Sequence, residues 1–218
     1  MLLSVTYFAY GASVIGSVHD LSLNGGFPSE PCQFCHVPHN ANPDPAFAGA
    51  PLWNRIIGPV TFVVYSSATM NTSPSNPPTG VSLACLSCHD GVLASNDKHD
   101  LYNDPITHRP PDTSSNPDCT NCHSEIYFGR PSKIKTPGTD MSNDHPLSMP
   151  YPTAAQDPFF VTPPDSQRGW GGPSQNDVKL YNGRVECASC HNVHDPAVSP
   201  FLRKSNAASA LCLTCHIK

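Results

Sequence analysis

Ten cysteines in this chain of 218 residues fall into five pairs, and each pair is Cys-x-x-Cys followed directly by histidine. In chain order, motifs 1 to 5 are Cys32-Gln33-Phe34-Cys35-His36, Cys85-Leu86-Ser87-Cys88-His89, Cys119-Thr120-Asn121-Cys122-His123, Cys187-Ala188-Ser189-Cys190-His191 and Cys212-Leu213-Thr214-Cys215-His216. This spacing is typical of c-type haem attachment, in which two thiols bond the porphyrin and the adjacent histidine binds its iron. The sequence therefore predicts five covalently bound haems.

Two other uses of paired cysteines explain the pattern less well. Zinc is usually held by four ligands, commonly two Cys-x-x-Cys pairs per ion, and five pairs leave one pair over. A disulfide framework gives no reason for a histidine after every second cysteine. Haem attachment accounts for all ten cysteines and for five of the eleven histidines.

The remaining histidines are candidates for the second axial position of each iron. They are His19, His39, His99, His108, His145 and His194. Methionine is the other common distal ligand, but five bis-histidine haems need none of the four methionines. One histidine is then surplus, and His99 and His108 both remain open for that place. Irons with both axial positions filled favour electron transfer over catalysis at an open iron.

Two of these histidines, His39 and His194, each follow a motif histidine by three residues. They are too close in sequence to reach the opposite face of the same haem, so we expect each to bind the iron of a neighbouring haem. Such a pair would keep two haems close, as electron hopping requires. A third candidate, His145, stands between Asp144 and Pro146, and we expect Asp144 to orient its imidazole.

The elements that must position these ligands are sparse. Hydrophobic residues make up 38% of the chain, and 25 prolines and 14 glycines interrupt regular structure. We predict a single pentahaem domain over residues 1–218, mostly irregular, with a few short α-helices, minimal β structure and the haems as its core. The predicted helices cover 81–89 and 206–216, the second capped by Ser205, and a strand covers 60–65.

The ends and the charge of the chain add less. Residues 1–17 include an apolar N-terminal segment without a basic start, which we expect to be retained, as a strand, with any export signal lying outside this numbering. No stretch of 18 apolar residues predicts a transmembrane helix. The net charge of −5 and the lack of a basic stripe argue against nucleic acid as a partner.

Several segments together resemble the doubled-CxxCH multihaem cytochromes, and more closely the outer-surface tetrahaem cytochromes that polymerise into extracellular filaments. Besides motifs 2, 4 and 5 they are Val18-His19-Asp20-Leu21-Ser22, Cys35-His36-Val37-Pro38-His39, Pro51-Leu52-Trp53-Asn54-Arg55, Ser142-Asn143-Asp144-His145-Pro146 and Phe201-Leu202-Arg203-Lys204-Ser205-Asn206. The resemblance implies a chain of bis-histidine haems and one distal histidine supplied by the next subunit. Motif 3 departs from it, since that family has no motif there.

Three functions follow as alternatives. The first is a head-to-tail homopolymer at the cell surface that conducts electrons between redox partners, with His19 as the residue that ligates a haem of the adjacent subunit. The second is a soluble periplasmic pentahaem carrier that donates electrons to a reductase. The third is a haem enzyme, which we expect least because no motif ends in lysine and the distal ligands suffice to close every iron.

Overall fold

The computed structural model describes residues 14–20, 30–39, 41–54, 60–90, 137–171 and 177–217, and most of them lie in coil and turns. The regular elements within these ranges are short. They are the helices α1 (Gly80–His89) and α2 (Cys187–Cys190), four 3-10 helices (Pro31–Phe34, Pro45–Phe47, Ala207–Ser209, Cys212–Thr214), and the strands β1 (Val63–Val64), β2 (Asp140–Met141), β3 (Met149–Pro150) and β4 (Arg184–Val185). The prediction of a mostly irregular chain with few helices and minimal sheet is confirmed.

The strands form two separate ladders of two residues each. In the parallel pair, β1 lies beside β2 with Val63 opposite Asp140. In the antiparallel pair, β3 lies beside β4 with Met149 opposite Val185. Both ladders join segments that are far apart in sequence, and β4 ends two residues before motif 4 begins.

Helix α1 carries motif 2 and begins one residue before the predicted range, which confirms that prediction. Its first residue, Gly80, has a φ of +60°, and a Cβ atom there would lie 3.1 Å from the carbonyl oxygen of Ala48. Glycine relieves both constraints, since it lacks a Cβ atom and adopts positive φ without strain. The helix can therefore start in contact with the 3-10 helix Pro45–Phe47.

The apolar core of the described residues is small and surrounds α1. Its buried members are Phe47, Phe62, Leu83, Ala84, Leu86 and Met141. Trp53, Val60 and Leu147 pack against this cluster from partly buried positions. This small core lies directly beside motif 2, as expected for a fold that is organised around bound haem.

Two predicted elements are shorter than expected. The predicted helix over 206–216 is wrong: left-handed backbone at Ala208 (φ 50°) and Ser209 (φ 61°) interrupts it and leaves the two short 3-10 helices. The predicted strand over 60–65 is reduced to β1, because its partner β2 ends at Met141, where the chain turns and the Asp144 amide bonds the Met141 carbonyl at 3.2 Å.

Some predictions fall outside the described residues. These are the strand in the N-terminal segment up to residue 13, motif 3 with Cys119, Cys122 and His123, and the two histidines His99 and His108. In the ranges that the structure describes, no helix is both long enough and apolar enough to span a membrane.

Candidate functional site

The described haem motifs share one local shape, a single helical turn closed on its first cysteine. The Cys32 carbonyl accepts hydrogen bonds from the amides of Cys35 (3.2 Å) and His36 (2.8 Å), and the Cys212 carbonyl accepts them from Cys215 (3.1 Å) and His216 (3.0 Å). Motif 2 forms the last turns of α1, and motif 4 forms α2. Residues i, i+3 and i+4 lie on one side of such a turn, so both thiols and the histidine face the same way.

A second segment clamps the histidine of motif 1. The His36 Nδ1 atom lies 2.6 Å from the Pro51 carbonyl oxygen, and the Val37 amide donates to the Leu52 carbonyl at 2.9 Å. Leu52 has left-handed backbone (φ 53°). The bond to Nδ1 fixes the ring and leaves Nε2 for a metal, the usual arrangement around a metal-binding histidine.

Motif 4 has a clamp of the same design. The His191 Nδ1 atom lies 2.9 Å from the Pro200 carbonyl oxygen, and the Asn192 amide donates to the Phe201 carbonyl at 2.7 Å. Phe201 again has left-handed backbone (φ 62°), and Arg203 Nε donates to the Ala188 carbonyl at 2.7 Å. The same construction at two motifs indicates a shared task, which is to hold the proximal histidine.

A related clamp lies against motif 5. The Val161 amide donates to the Cys215 carbonyl at 2.8 Å, and the Ile217 amide donates to the Phe159 carbonyl at 2.8 Å. The Phe160 ring lies 4.5 Å from the His216 ring. Sequence reasoning missed these clamp segments, although Pro-Leu-Trp, Pro-Phe-Leu and Pro-Phe-Phe recur in the chain as a weak signal.

The orientation of His145 differs from its prediction. Its Nδ1 atom lies 2.8 Å from the carbonyl oxygen of Pro146, whereas the predicted partner was Asp144. The backbone carbonyl does the same work as a carboxylate would, since it ties one ring nitrogen and leaves the other for a metal.

Six histidines stand in three pairs, each pair joining one motif histidine to one predicted distal ligand. The ring centroids are 6.1 Å apart for His19 and His89, 6.3 Å for His36 and His194, and 6.4 Å for His145 and His216. A histidine nitrogen lies about 2 Å from a bound transition metal, so two imidazoles on opposite sides of one metal have centroids roughly 6 Å apart. The three separations fit an iron between each pair.

His19 carries a further sign of a bound group. Its Nδ1 atom is buried without a hydrogen-bond partner among the described residues. Burial, and then the charges of His89 and His194, lower the pKa of His19 to about 4. The imidazole is therefore neutral at neutral pH, which is the form that binds metal.

Two described histidines have no such mate. His39 and His191 are both exposed, and across the described ranges no second imidazole lies beside either ring. That His39 and His194 serve neighbouring haems stays a prediction; His194 lies beside the histidine of a different motif.

The described cysteines complete the fit to haem. All eight are free thiols, as covalent attachment requires. Two of them, Cys32 and Cys212, are exposed, and the other six are partly buried: Cys35, Cys85, Cys88, Cys187, Cys190 and Cys215. Each described motif thus offers two thiols and one oriented histidine to a haem, whose iron would supply reversible one-electron chemistry.

Comparison with known proteins supports the same chemistry. The family model described as the doubled CXXCH motif matches residues 181–218, which contain motifs 4 and 5. No curated protein matches the chain. The chain therefore carries a multihaem c-type cytochrome motif, whose chemistry is covalent haem c binding and electron transport.

Proposed function

We propose that this chain is a pentahaem electron-transfer protein and the subunit of an extracellular cytochrome filament. Each of its five motifs would hold one haem c, and electrons would pass from haem to haem along the chain and on to redox partner proteins or extracellular acceptors. The observation that carries the electron-transfer part is the set of three histidine pairs at 6.1, 6.3 and 6.4 Å.

An iron with both axial positions occupied favours electron transfer over catalysis. An iron held by two histidines would keep both ligands in its ferric and ferrous states, so electron transfer would require little rearrangement. The contact of His36 Nδ1 with the Pro51 carbonyl, and that of His191 Nδ1 with the Pro200 carbonyl, would keep both imidazoles in one orientation in the ferric and the ferrous state. Histidine in place of methionine also lowers the reduction potential.

The filament part rests on the two unmatched histidines. His191 has a clamp on its Nδ1 but no second imidazole beside it, and His39 is an exposed imidazole without a mate, both within the described residues. If His39 of one copy ligates the motif 4 haem of the next copy, His191 gains a distal partner and His39 gains an iron to bind. A head-to-tail contact of this kind does not close on itself in pairs and generates a filament unless its rotation forms a ring.

This assignment replaces His19 as the residue proposed to act between subunits. His19 lies 6.1 Å from His89 of its own chain and is partly buried, so we place it as the distal ligand of the motif 2 haem within one subunit. The sequence resemblance alone does not show whether His19 or His39 ligates a haem of the next subunit.

A comparison of two alanine variants tests the filament. His39→Ala is expected to abolish filaments in the secreted protein and to leave the motif 4 iron open, as seen by electron microscopy and by a high-spin signal. His19→Ala is expected to keep the filaments while it opens the motif 2 iron. Filaments that persist in His39→Ala with every haem six-coordinate would refute trans ligation by His39.

A wild-type protein that is a monodisperse monomer would instead favour the alternative function, a soluble periplasmic carrier. Because that carrier would also contain five haems, only the assembly state separates the two. Loss of filaments in His19→Ala but not in His39→Ala would return the intersubunit role to His19.

A further inference from the structure

A buried polar network joins the helix of motif 2 to the helix of motif 4. The Ser82 hydroxyl on α1 donates a short hydrogen bond to Glu186 Oε2, next to the start of α2. The Cys187 amide in turn donates to Ser82 Oγ at 2.9 Å. Ser82 therefore bonds both the carboxylate and the first cysteine of motif 4.

The carboxylate has further partners that fix its position. The Ser148 hydroxyl donates to Glu186 Oε2 at 2.8 Å, and the Glu186 backbone is held by Ser189, whose hydroxyl accepts from the Glu186 amide at 2.9 Å. Arg184 Nε lies 3.9 Å from Oε1. Glu186 is only 3% exposed, and a buried carboxylate is retained at a cost unless such bonds compensate it.

The network brings two haem-attachment cysteines together. Cys85 lies one helical turn after Ser82, on the same face of α1, and the amide of Cys187 donates to the hydroxyl of that same Ser82, so the two cysteines lie close together. Cys187 belongs to motif 4 and Cys85 to motif 2, although 102 residues separate them in the chain. In the haem-loaded protein these two sulfurs become thioethers at the porphyrin edges.

We propose that the haems of motifs 2 and 4 adjoin at these two thioethers, and that Glu186 with Ser82 is the positioning latch that keeps them together. This deepens the proposed function, on which it rests, by naming a direct step in the electron path. In that step one iron is oxidised from ferrous to ferric while the other is reduced from ferric to ferrous, and no atom is transferred. Glu186 touches neither iron and acts through the spacing of the two helices.

The latch predicts an effect on the magnetic coupling between the two haems. Electron paramagnetic resonance of the fully oxidised, haem-loaded protein should show coupling that disappears both when Cys85 and Cys88 are replaced by alanine and when Cys187 and Cys190 are, which assigns it to this pair. Ser82→Ala removes both of its links to motif 4, so this variant should lose the coupling while its haem count stays at the wild-type value.

Two variants separate positioning from general stability. Glu186→Gln should retain the coupling, because an amide oxygen at the Oε2 position accepts from both Ser82 and Ser148, whereas Glu186→Ala should lose it. Thr72→Val is the matched control, since this hydroxyl also bonds a distant segment, the Pro150 carbonyl at 2.8 Å, but belongs neither to the latch nor to a haem motif, and the change should leave the coupling unchanged.

The outcomes distinguish this inference from the proposed function. Wild-type coupling in Ser82→Ala and Glu186→Ala, with all haems present, would overturn the latch and leave the pentahaem assignment intact. Coupling that survives removal of the motif 2 cysteines would overturn the haem contact itself. A wild-type protein that lacks haem at motif 2 or 4 would overturn the proposed function.

Should Ser82→Ala fail to load haem, Ser148→Ala serves in its place, because it removes one of the two hydroxyl bonds to Glu186 Oε2. Reduced coupling is expected in this variant, and coupling at the wild-type level would contradict the latch.

Discussion

Replacement of His194 by alanine is expected to open the iron of motif 1 and to leave the other described centres closed. The ring of His194 lies 6.3 Å from that of His36 and is nearly parallel to it, at 17°. Without the second imidazole the ferric iron changes from low spin to high spin and gains a free coordination position. If each of the five motifs holds one haem, as proposed, about one-fifth of the iron should change.

Optical and electron paramagnetic resonance spectra of the oxidised protein measure this change, and carbon monoxide binding to the reduced protein counts the open irons. Val193→Ala is the matched control, because it alters the same loop and keeps both histidines of the Cys-His-x-x-His pair. A His194→Ala protein that stays wholly low spin and binds no carbon monoxide would show that His194 is not the ligand opposite His36.

Removal of haem attachment is expected to have the largest effect on folding. A chain with all ten motif cysteines replaced by alanine should show no cooperative unfolding transition, because the protein interior then lacks its largest apolar groups. Within the described ranges only ten hydrophobic residues are buried, and the longest helix spans ten residues. Small folds of this kind depend on covalent links or metal sites for their stability.

Circular dichroism during heating tests this expectation, with the haem-loaded wild-type chain as the control. The loaded protein should melt in a cooperative transition, and the cysteine-free chain should show a gradual change without one. A cooperative melt of the cysteine-free chain, comparable to that of the loaded protein, would show that aliphatic packing suffices and that haem does not organise the fold.

The helix that carries motif 2 was predicted from the sequence, whereas the turns at the other motifs and the long-range partners of the motifs were not. Cys32 and Cys212 each close a helical turn through their carbonyls. The carbonyls that clamp His36 and His191 come from loops 15 and 9 residues further on, and no periodic pattern marks them. The sequence also does not show which two histidines lie opposite each other, since partners such as His19 and His89 are 70 residues apart.

The failure of the C-terminal helix prediction has a local cause. Alanine and leucine favour a helix over 206–216, but Ala208 and Ser209 adopt left-handed backbone. The amide of Leu211 instead donates to the Asn206 side chain at 3.2 Å, so a side chain takes over one backbone hydrogen bond. Lys204 adds a tertiary link to this segment, through Thr214 at 3.1 Å, which propensity alone does not include.

The contact between Ser82 and Glu186, which links motifs 2 and 4, also could not be predicted from the sequence. Glu186 precedes Cys187 as an ordinary charged residue, and Ser82 stands in a helix with no sign of a distant partner. Only the fold places the two in contact. A buried carboxylate beside a haem-attachment cysteine is therefore a feature to seek in structures, because composition and spacing do not indicate it.

The central claim is that one chain binds five haems through its five motifs, and the intact mass of the purified protein tests it most directly. Mass spectrometry under denaturing conditions retains covalent haem and removes everything held by coordination alone. The mass should equal that of the mature polypeptide plus five haems, with each motif identified as a haem-bearing peptide after digestion. A mass that corresponds to fewer haems, with free thiols or zinc-dependent folding at the remaining motifs, would contradict the account.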